Sequence, residues 1–303
     1  PQKTIYEMVK SAADKYPKNY AYEFMGKKTT YAEFMQKIDA AAKAYMALGI
    51  QKGDRVTICM PNCPQAVDSF YALNRIGAVS NMIHPLSAAG EIKFYLNFSK
   101  SKAILTLDQF YGKIAPIMPE LDDPDTKLII AKIEDELFPH LALGYALTAG
   151  RKYPHPERKG NYIWWSEFQR VGKKRDLPLP REFGKAEEGA SILYSGGTTG
   201  TTKGILLSNM NFNALGLQTA AGIRVRDGRV LEAARRDQTP QPRNALRHDL
   251  QHTHHAVVRL LCRRGRHANA KAPHVNRNRF TRHDMLDHVA RNDHAGVRAR
   301  LPV

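Results

Sequence analysis

Apolar positions in the first part of the chain recur every three or four residues in two segments that predict helices. Each helix begins with a threonine followed three positions later by glutamate, at Thr4 and at Thr30, a spacing that lets each side chain bond a backbone N–H of the other residue. Apolar side chains then continue at helical spacing to Tyr16 in the first segment and to Leu48 in the second, where Gly49 ends the helix.

Short apolar runs between further helical segments predict strands. Because strands alternate with helices, the pattern predicts an α/β fold with a mainly parallel sheet and helices on both faces. The predicted strands are residues 56–60, 78–83, 103–107 and 127–131. Three helices are predicted between them. They are residues 65–76 after Pro64, a helix that Ser87 caps and that contains Glu91, Phe94 and Tyr95, and residues 109–118.

Two stretches between residues 137 and 185 are informative in other ways. Residues 140–149 are the longest mildly apolar stretch, and because about 20 apolar residues are needed to span a bilayer, they predict a core helix and no transmembrane segment. Residues 170–180 are basic and contain proline, which indicates a surface stretch.

Composition changes near residue 223. Residues 1–222 contain 28 Lys and Arg against 22 Asp and Glu, whereas residues 223–303 contain 18 against 7, so most of the net charge of +17 lies in this tail. Nine of the twelve histidines but none of the thirteen tyrosines lie there as well. Leu, Ile, Val and Phe make up about a fifth of the tail, near the composition at which chains stay disordered.

Three explanations of the tail stay open. An arginine-rich arm can bind nucleic acid, but Phe280 is its only aromatic residue. A metal site on His252, His254 and His255 lacks matching cysteines or carboxylates. We favour the third, an out-of-frame segment, because the near-absence of Tyr, Trp, Glu, Ile and Lys with a rise in Arg and His is typical of a GC-rich gene translated in the wrong frame. Translation of the coding sequence in all frames past codon 228 distinguishes these explanations.

The most informative segment is residues 194–204, Tyr-Ser-Gly-Gly-Thr-Thr-Gly-Thr-Thr-Lys-Gly. Glycines let backbone N–H groups turn toward a ligand that approaches closely, hydroxyls add hydrogen bonds, and Lys203 adds a positive charge, so the segment predicts a phosphate-binding loop. Apolar runs at 191–194 and 204–207 predict that the loop joins strand to strand. A helix at 210–221, capped by Ser208 or Asn209, is predicted to follow.

Two common nucleotide-binding motifs do not fit this segment. A Walker A loop has glycine before its lysine and a hydroxyl after it, whereas here Thr202 precedes Lys203 and Gly204 follows. The dinucleotide fingerprint G-x-G-x-x-G is absent because Gly196 and Gly197 are adjacent. An exposed Gly/Thr linker would not need this ordered spacing between two strands.

The segment resembles the phosphate-binding signature of the adenylate-forming (AMP-binding) superfamily, which includes acyl-CoA synthetases, luciferases and peptide-synthetase adenylation domains. That signature is roughly [YF]-[ST]-[SG]-G-[ST]-T-G-x-P-K-G, and the chain departs from it only at Thr202, where proline is usual. Other segments look like the opening of an acyl-CoA synthetase, most of all a long-chain fatty-acid–CoA ligase, in the family's order. They are residues 30–33, 49–56, 60–64 and 75–79.

The resemblance covers residues 1–222 but weakens between residues 137 and 185, where residues 144–165 look like a family-variable insertion. It implies part of the large N-terminal domain of the adenylate-forming fold, with mainly parallel sheets and flanking helices. We expect an AMP-binding domain portion at residues 1–228 and an Arg/His-rich tail at residues 229–303 that is disordered or non-native.

The chemistry that the resemblance implies is a two-step ligase reaction that uses ATP, Mg2+ and CoA. A carboxylate attacks the α-phosphate of Mg-ATP, pyrophosphate leaves, and CoA takes the acyl group from the acyl-adenylate. Thr199 is expected nearest the metal by motif position alone. The implied roles are a backbone cradle at Gly196, Gly197, Gly200 and Gly204, hydroxyl contacts from Ser195, Thr198, Thr199 and Thr201, and contact of Lys203 with the β- and γ-phosphates.

No catalytic or metal-ligating residue is identifiable in the part of the chain that resembles the family. The groups by which the family holds adenine and ribose, its metal-assisting acid and the lysine of its small C-terminal domain would all lie beyond residue 222 and are not recognisable. We therefore expect the chain as given to be truncated and inactive.

A carboxylic acid is the implied substrate, and a fatty acid is preferred. The alternatives are an aryl-acid–CoA ligase, a peptide-synthetase adenylation domain, or a nucleotide- or nucleic-acid-binding protein that uses the basic tail. Nucleic acid is disfavoured and peripheral membrane contact stays open. Cys59, Cys63 and Cys262 form neither a disulfide framework nor a zinc-finger spacing, which favours a reducing cytoplasm.

Overall fold

The computed structural model of the chain describes residues 2–148, 162–175, 177–180, 184–195 and 203–219. The predictions for the tail, including the boundary at residue 228, lie outside these ranges. The strands are β1 (Tyr20–Phe24), β2 (Lys27–Thr30), β3 (Arg55–Cys59), β4 (Val79–Met82), β5 (Ser101–Leu107), β6 (Lys127–Ala131), β7 (Tyr162–Trp164), β8 (Gly189–Ser195) and β9 (Lys203–Ser208). The helices are α1 (Ile5–Lys15), α2 (Tyr31–Ala47), α3 (Pro64–Arg75), α4 (Ala89–Ser99), α5 (Tyr111–Ile114), α6 (Pro139–Leu147), α7 (Trp165–Lys174) and α8 (residues 209–219).

Seven of the described strands form one sheet in the order β7-β6-β5-β3-β4-β8-β9. All neighbours in this sheet are parallel except β8 and β9, which are antiparallel. Strands β1 and β2 form a separate antiparallel hairpin. The predicted α/β fold with a mainly parallel sheet is confirmed.

Both faces of the sheet are buried. On one face, Val56 and Leu105 belong to a core that α1, α2, α3 and α7 complete. On the other face, Ile104 and Ile130 pack with Ile92 of α4 and its neighbours. Burial of both faces explains why these strands are nearly continuous apolar runs without alternation.

The two predicted helix starts are confirmed in atomic detail. The Thr4 side chain accepts the Glu7 N–H at 3.1 Å, and the Glu7 carboxylate accepts the Thr4 N–H at 2.7 Å. Thr30 and Glu33 repeat the arrangement at 3.2 and 2.8 Å. Each box therefore satisfies two N–H groups that would otherwise lack a partner at the first helical turn.

The basic residues of the predicted surface stretch at residues 170–180 are exposed as far as Arg175, but the helix that contains the first of them was not predicted. Residues up to Lys174 belong to α7, which buries Trp165, Phe168 and Gly172 against α2. The apolar positions lie on one side of the helix and its basic residues on the other, so the helix is amphipathic. It was not predicted because the segment is rich in basic residues. Trp165, placed at the end of a variable insertion, begins this helix.

Two other helix predictions needed correction. The predicted α-helix at residues 109–118 is broken into 3-10 turns on either side of α5, because Pro116 and Pro119 lack the N–H that a continuous helix needs. Ser87 does not cap α4. Its N-cap is Ala88, whose N–H donates to the Glu91 carboxylate at 3.2 Å.

The remaining differences concern short elements. Hairpin β1–β2 was not predicted, since its strands are short and β2 is polar. Its turn places Met25 and Gly26 at φ values of 51° and 85°. Helix α6 overlaps the predicted helix at 140–149, but Leu143 and Leu147 are exposed, so it is not a core helix. None of the helices in the described ranges combines the length and apolar character that crossing a membrane requires.

Candidate functional site

The candidate site lies at the carboxyl edge of the parallel sheet. Strand β8 runs parallel to β4 and ends at Ser195, and the chain re-enters the sheet at Lys203. In open α/β sheets, ligands bind outside the carboxyl ends of the strands. Of the nine predicted site residues, Ser195, Lys203 and Gly204 lie in the described ranges. The other six lie outside them: Gly196, Gly197, Thr198, Thr199, Gly200 and Thr201.

Two antiparallel strands form the base of the predicted loop. Tyr194 pairs with Gly204, and Ser195 pairs with Lys203. The prediction that the loop joins strand to strand is therefore confirmed. Directly opposed side chains in such a pair have Cβ atoms about 5 Å apart and point to the same face, so the Ser195 hydroxyl and the Lys203 side chain begin on one side of the hairpin.

Lys203 is exposed, while Ser195 is only partly so. Within the described part of the chain, no carboxylate pairs with the Lys203 ammonium. A mobile ammonium of this kind can approach phosphate oxygens as a point charge without first breaking an ion pair.

Aromatic rings from α4 support the base of the loop. The Tyr194 ring lies 4.1 Å from the Tyr95 ring, centroid to centroid, at an interplanar angle of 34°. The Phe98 ring meets it edge-on at 6.4 Å. The sequence motif gave no sign of these contacts, because about a hundred residues separate α4 from β8.

The Tyr194 hydroxyl lies inside the protein, beside a network of small polar side chains. Burial raises the pKa of the Tyr194 phenol, and the neighbouring Asn81 and Ser99 side chains partly offset that increase. The hydroxyl nevertheless makes no hydrogen bond of ordinary distance and angle to any described residue. The ring, and not the hydroxyl, therefore makes the well-defined contacts of this side chain.

The network itself is buried and links three strands to the end of α4. The Asn81 Nδ2 donates to Thr57 Oγ1 at 2.8 Å and to Ser99 Oγ at 3.0 Å. Ser101 Oγ lies 2.7 Å from both Thr57 Oγ1 and Ser99 Oγ. Hydrogen bonds among buried polar groups of this kind help to hold α4 in position on the sheet.

Helix α8 follows β9 and is anchored at its first turn. Ser208 Oγ accepts the Asn211 N–H at 3.3 Å, and Asn211 Oδ1 accepts the Ser208 N–H at 2.9 Å, so the predicted cap at Ser208 is confirmed. Asn209 is buried, and its Oδ1 accepts the Ile5 N–H at 3.1 Å and an Asn74 N–H at 2.7 Å. These bonds tie the end of the hairpin to α1 and α3.

A second group of ionisable side chains, buried except for the partly exposed Lys37, lies where α2, α3 and β1 meet the turn after β6. Lys37 Nζ lies 2.7 Å from a Glu136 oxygen and 3.7 Å from Asp68 Oδ2. The Tyr22 hydroxyl donates to Asp68 Oδ1 at 3.3 Å. Burial raises the pKa of Asp68 to about 7, because the stabilising effect of Lys37 is smaller than the cost of desolvation and the repulsion from Glu136.

Among the residues that the structure describes, no three His, Cys, Asp or Glu side chains come together in a way that could hold a metal ion. His252, His254 and His255 lie outside the described residues. Cys59 and Cys63 are free and buried, and burial raises the pKa of each thiol to about 12, so neither is an activated nucleophile.

Comparison with known proteins decides the family. The sequence profile of the AMP-binding enzymes matches residues 9–262. The chain belongs to this family. The match extends past residue 228, the domain boundary expected from the resemblance, and that boundary stays a prediction.

Several relatives of this AMP-binding chain are acyl-CoA ligases. It is 31% identical over 216 residues to a long-chain-fatty-acid–CoA ligase of Bacillus subtilis (strain 168), which covers 71% of the chain and 38% of that ligase. It is 32% identical over 186 residues to an acetyl-coenzyme A synthetase of Streptomyces avermitilis, which covers 58% of the chain and 25% of that enzyme. The chain thus spans less than half the length of these curated relatives.

A solved structure supports the fold of the AMP-binding chain. The crystal structure of the anthranilate CoA ligase AuaEII in complex with anthranoyl-AMP superposes with a TM-score of 0.58 at 16% identity. It covers 72% of this chain and 37% of the ligase. At this identity the similarity shows the fold alone.

Proposed function

We propose that this chain carries the ATP-phosphate loop of an AMP-forming acid–thiol ligase. The observation that supports this most directly is the pairing of Ser195 with Lys203 at the carboxyl edge of the sheet. This pairing sets a hydroxyl and an ammonium that pairs with no described carboxylate at the two ends of one glycine- and threonine-rich connection. Membership of the AMP-binding family favours a nucleotide phosphate over other anions.

In the proposed reaction, a carboxylate oxygen of the acid attacks the α-phosphorus of ATP and pyrophosphate leaves. The acyl-adenylate that forms is then attacked at its acyl carbon by the sulfur of CoA, which loses its thiol proton, and AMP leaves. Negative charge accumulates on phosphate oxygens in the first step. Fixed N–H groups and a lysine aimed at those oxygens are therefore the main contribution that the protein can make.

The proposed roles of the loop residues follow from their chemistry. Lys203 places its charge against the β- and γ-phosphates, where pyrophosphate forms as the leaving group. The backbone N–H groups of Gly196, Gly197, Gly200 and Gly204 form the cradle, and the hydroxyls of Ser195, Thr198, Thr199 and Thr201 donate to phosphate oxygens.

The described residues at the base of the loop offer a hydroxyl and an ammonium, neither of which is a carboxylate ligand. Mg2+ in nucleotide sites is commonly bound by substrate phosphates with one or two carboxylates. We assign Mg2+ to the phosphates of ATP, with Thr199 as the nearest protein hydroxyl by its motif position. When bound, the ion neutralises charge that develops on the phosphate oxygens.

A fatty acid is the acid substrate that we prefer, with fatty acid metabolism as its setting. The Bacillus subtilis relative supports this preference by analogy. Because the chain is also similar to an acetyl-CoA synthetase and an anthranilate CoA ligase, short-chain and aryl acids should be tested as substrates as well. No feature of the described residues favours the nucleic-acid alternative. The free cysteines in the described ranges fit a reducing compartment, and we place the reaction in the cytoplasm.

Replacement of Lys203 by alanine is expected to weaken binding of Mg-ATP and of tripolyphosphate by the 303-residue chain. A hydrogen bond to a charged group contributes about 1.5–3 kcal/mol, so the expected loss is about 10- to 100-fold. Isothermal titration calorimetry with both ligands measures it. Lys18→Ala, at an exposed lysine in a turn, serves as the control and should leave both affinities unchanged. Equal affinities in the wild type and Lys203→Ala would contradict the assignment.

The 303-residue chain is expected to release no pyrophosphate above background with a panel of fatty, short-chain and aryl acids in the presence of CoA. The family's groups for adenine, for ribose and for assisting the metal are not recognisable in it. A coupled pyrophosphate assay measures this, with the full-length Bacillus subtilis relative as a positive control. Sustained turnover by the chain would show that the expected inactivity is wrong.

A further inference from the structure

Tyr194 is the residue immediately before the predicted phosphate contacts, and its side chain points away from them. Its ring packs on α4, against Tyr95 at 4.1 Å and Phe98 at 6.4 Å. Aromatic pairs of this kind contribute about 0.5–1.5 kcal/mol beyond the area they bury. The carboxyl end of β8 is therefore held on the helix at the last position before the loop.

The residue opposite Tyr194 leaves room for this ring. A Cβ on Gly204 would lie 3.3 Å from Tyr194 Cε1 and 3.0 Å from Phe98 Cε1. Both contacts are tighter than ordinary van der Waals separations. The rings thus lie across the hairpin, beside both strands that flank the loop, and the last glycine of the motif has a packing role in addition to its proposed place in the cradle.

Buried hydrogen bonds hold together the surface that receives the Tyr194 ring. Asn81 and Ser99 lie beside the phenol, and hydrogen bonds of 2.7–3.0 Å join them to Thr57 and Ser101 in neighbouring strands. These groups are buried, so moving α4 on the sheet would leave polar groups without partners. A ring that packs on this surface is therefore held in one position relative to the sheet.

We propose that Tyr194 is a positioning residue for the phosphate loop, which rests on the proposed function of that loop. By holding the Tyr194–Gly204 pair on α4, the ring fixes the directions in which Ser195 and Lys203 leave the sheet. A ligand then binds a loop whose ends are already ordered, so less conformational entropy is lost on binding. The hydroxyl is not needed, because it makes no regular hydrogen bond to a described residue.

The test compares Tyr194→Leu, which removes the ring, with Tyr194→Phe, which removes only the hydroxyl. Phe168→Leu is the matched control, because Phe168 is a buried ring in the contact between α7 and α2, stacked on Trp165 and edge-on to Tyr45. Two quantities are measured on the 303-residue chain: hydrogen exchange of peptides that cover residues 189–208, and affinity for Mg-ATP and tripolyphosphate. Circular dichroism sets a temperature at which all variants are folded.

Tyr194→Leu is expected to speed exchange in residues 189–208 and to weaken both ligands by about tenfold. Tyr194→Phe should restore wild-type exchange and affinity, and Phe168→Leu should lower the melting temperature without changing either quantity. Unchanged exchange in Tyr194→Leu overturns the positioning role, whether or not the wild type binds ATP. Faster exchange in a chain whose wild type binds neither ligand supports the positioning role and refutes the phosphate-binding function instead.

Discussion

Gly172→Ala is expected to destabilise the protein by at least about 3 kcal/mol, the upper part of the range for overpacked cores. A Cβ at this position of α7 would lie 1.8 Å from the Ala40 carbonyl oxygen, 2.8 Å from the Ala40 carbonyl carbon and 3.1 Å from the Ala44 nitrogen of α2. All three are backbone atoms, so no side-chain rotation can relieve the overlap. The two helices would have to separate, which would open the ring contact between Tyr45 and Phe168.

Urea denaturation followed by circular dichroism measures this loss. The matched control is Gly144→Ala in α6, where nothing lies within 4 Å of an added Cβ. Alanine is favoured over glycine inside a helix by about 1 kcal/mol, so the control should be neutral or slightly stabilising. If both variants unfold at the same urea concentration, the close contact between α7 and α2 is not present in solution.

Asp68→Asn is expected to remove a pH dependence from the stability of the protein. The ordinary pKa of an aspartate is 3.8, and burial raises that of Asp68 to about 7. A group with a raised folded-state pKa contributes stability that is fully present below pH 4 and is lost as the pH rises through 7. For one carboxyl group, the loss between pH 5 and pH 8 amounts to up to about 3 kcal/mol.

The comparison is the difference in unfolding free energy between wild type and Asp68→Asn at pH 5 and at pH 8. Asparagine stays neutral, so the unfolding free energy of the variant should rise relative to that of wild type as the pH rises. Lys37 keeps its 2.7 Å contact with Glu136 in the variant. Burial also raises the pKa of Asp135, to about 6, but that group is common to both proteins and cancels. Asp14→Asn, at an exposed carboxylate, should show the same change in unfolding free energy between pH 5 and pH 8 as wild type. A pH-independent difference for Asp68→Asn would refute the raised pKa.

The parts of the fold that the sequence predicted are those that local chemistry determines. Thr4 and Thr30 each form a capping box with a glutamate three residues later, and β5 and β6 are apolar runs that cannot be stable elsewhere than in a covered sheet. Helix α7 was missed because Gly172 lowers helix propensity and the basic residues around it resemble a loop. Its reason for being helical is the surface of α2, about 130 residues earlier in the chain.

The same distinction applies to the candidate site. The spacing of glycines, hydroxyls and Lys203 predicted a strand-to-strand loop, and the pairing of Ser195 with Lys203 confirmed the strands at its base. The contact of Tyr194 with Tyr95 and three of the four bonds of the Asn81 network join residues at least 18 positions apart in the sequence. They depend on the strand order, which places β8 beside β4, and periodicity carries no information about that order.

The pairing of β8 with β4, in which Ser80 lies opposite Ser191, also affects how the chain folds during synthesis. Strands β3 to β6 can pair with one another once residue 131 has been made, whereas β8 can dock only after the ribosome has made more than a hundred residues beyond β4. The entropic cost of closing so long a loop is modest, about 0.6 kcal/mol for each doubling of length. The main consequence of the long separation is therefore a delay before β8 can pair with β4. Until β8 arrives, β4 is an open sheet edge, and an open edge recruits foreign strands. We expect the nascent chain to be most prone to aggregation, and most dependent on chaperones, in that interval.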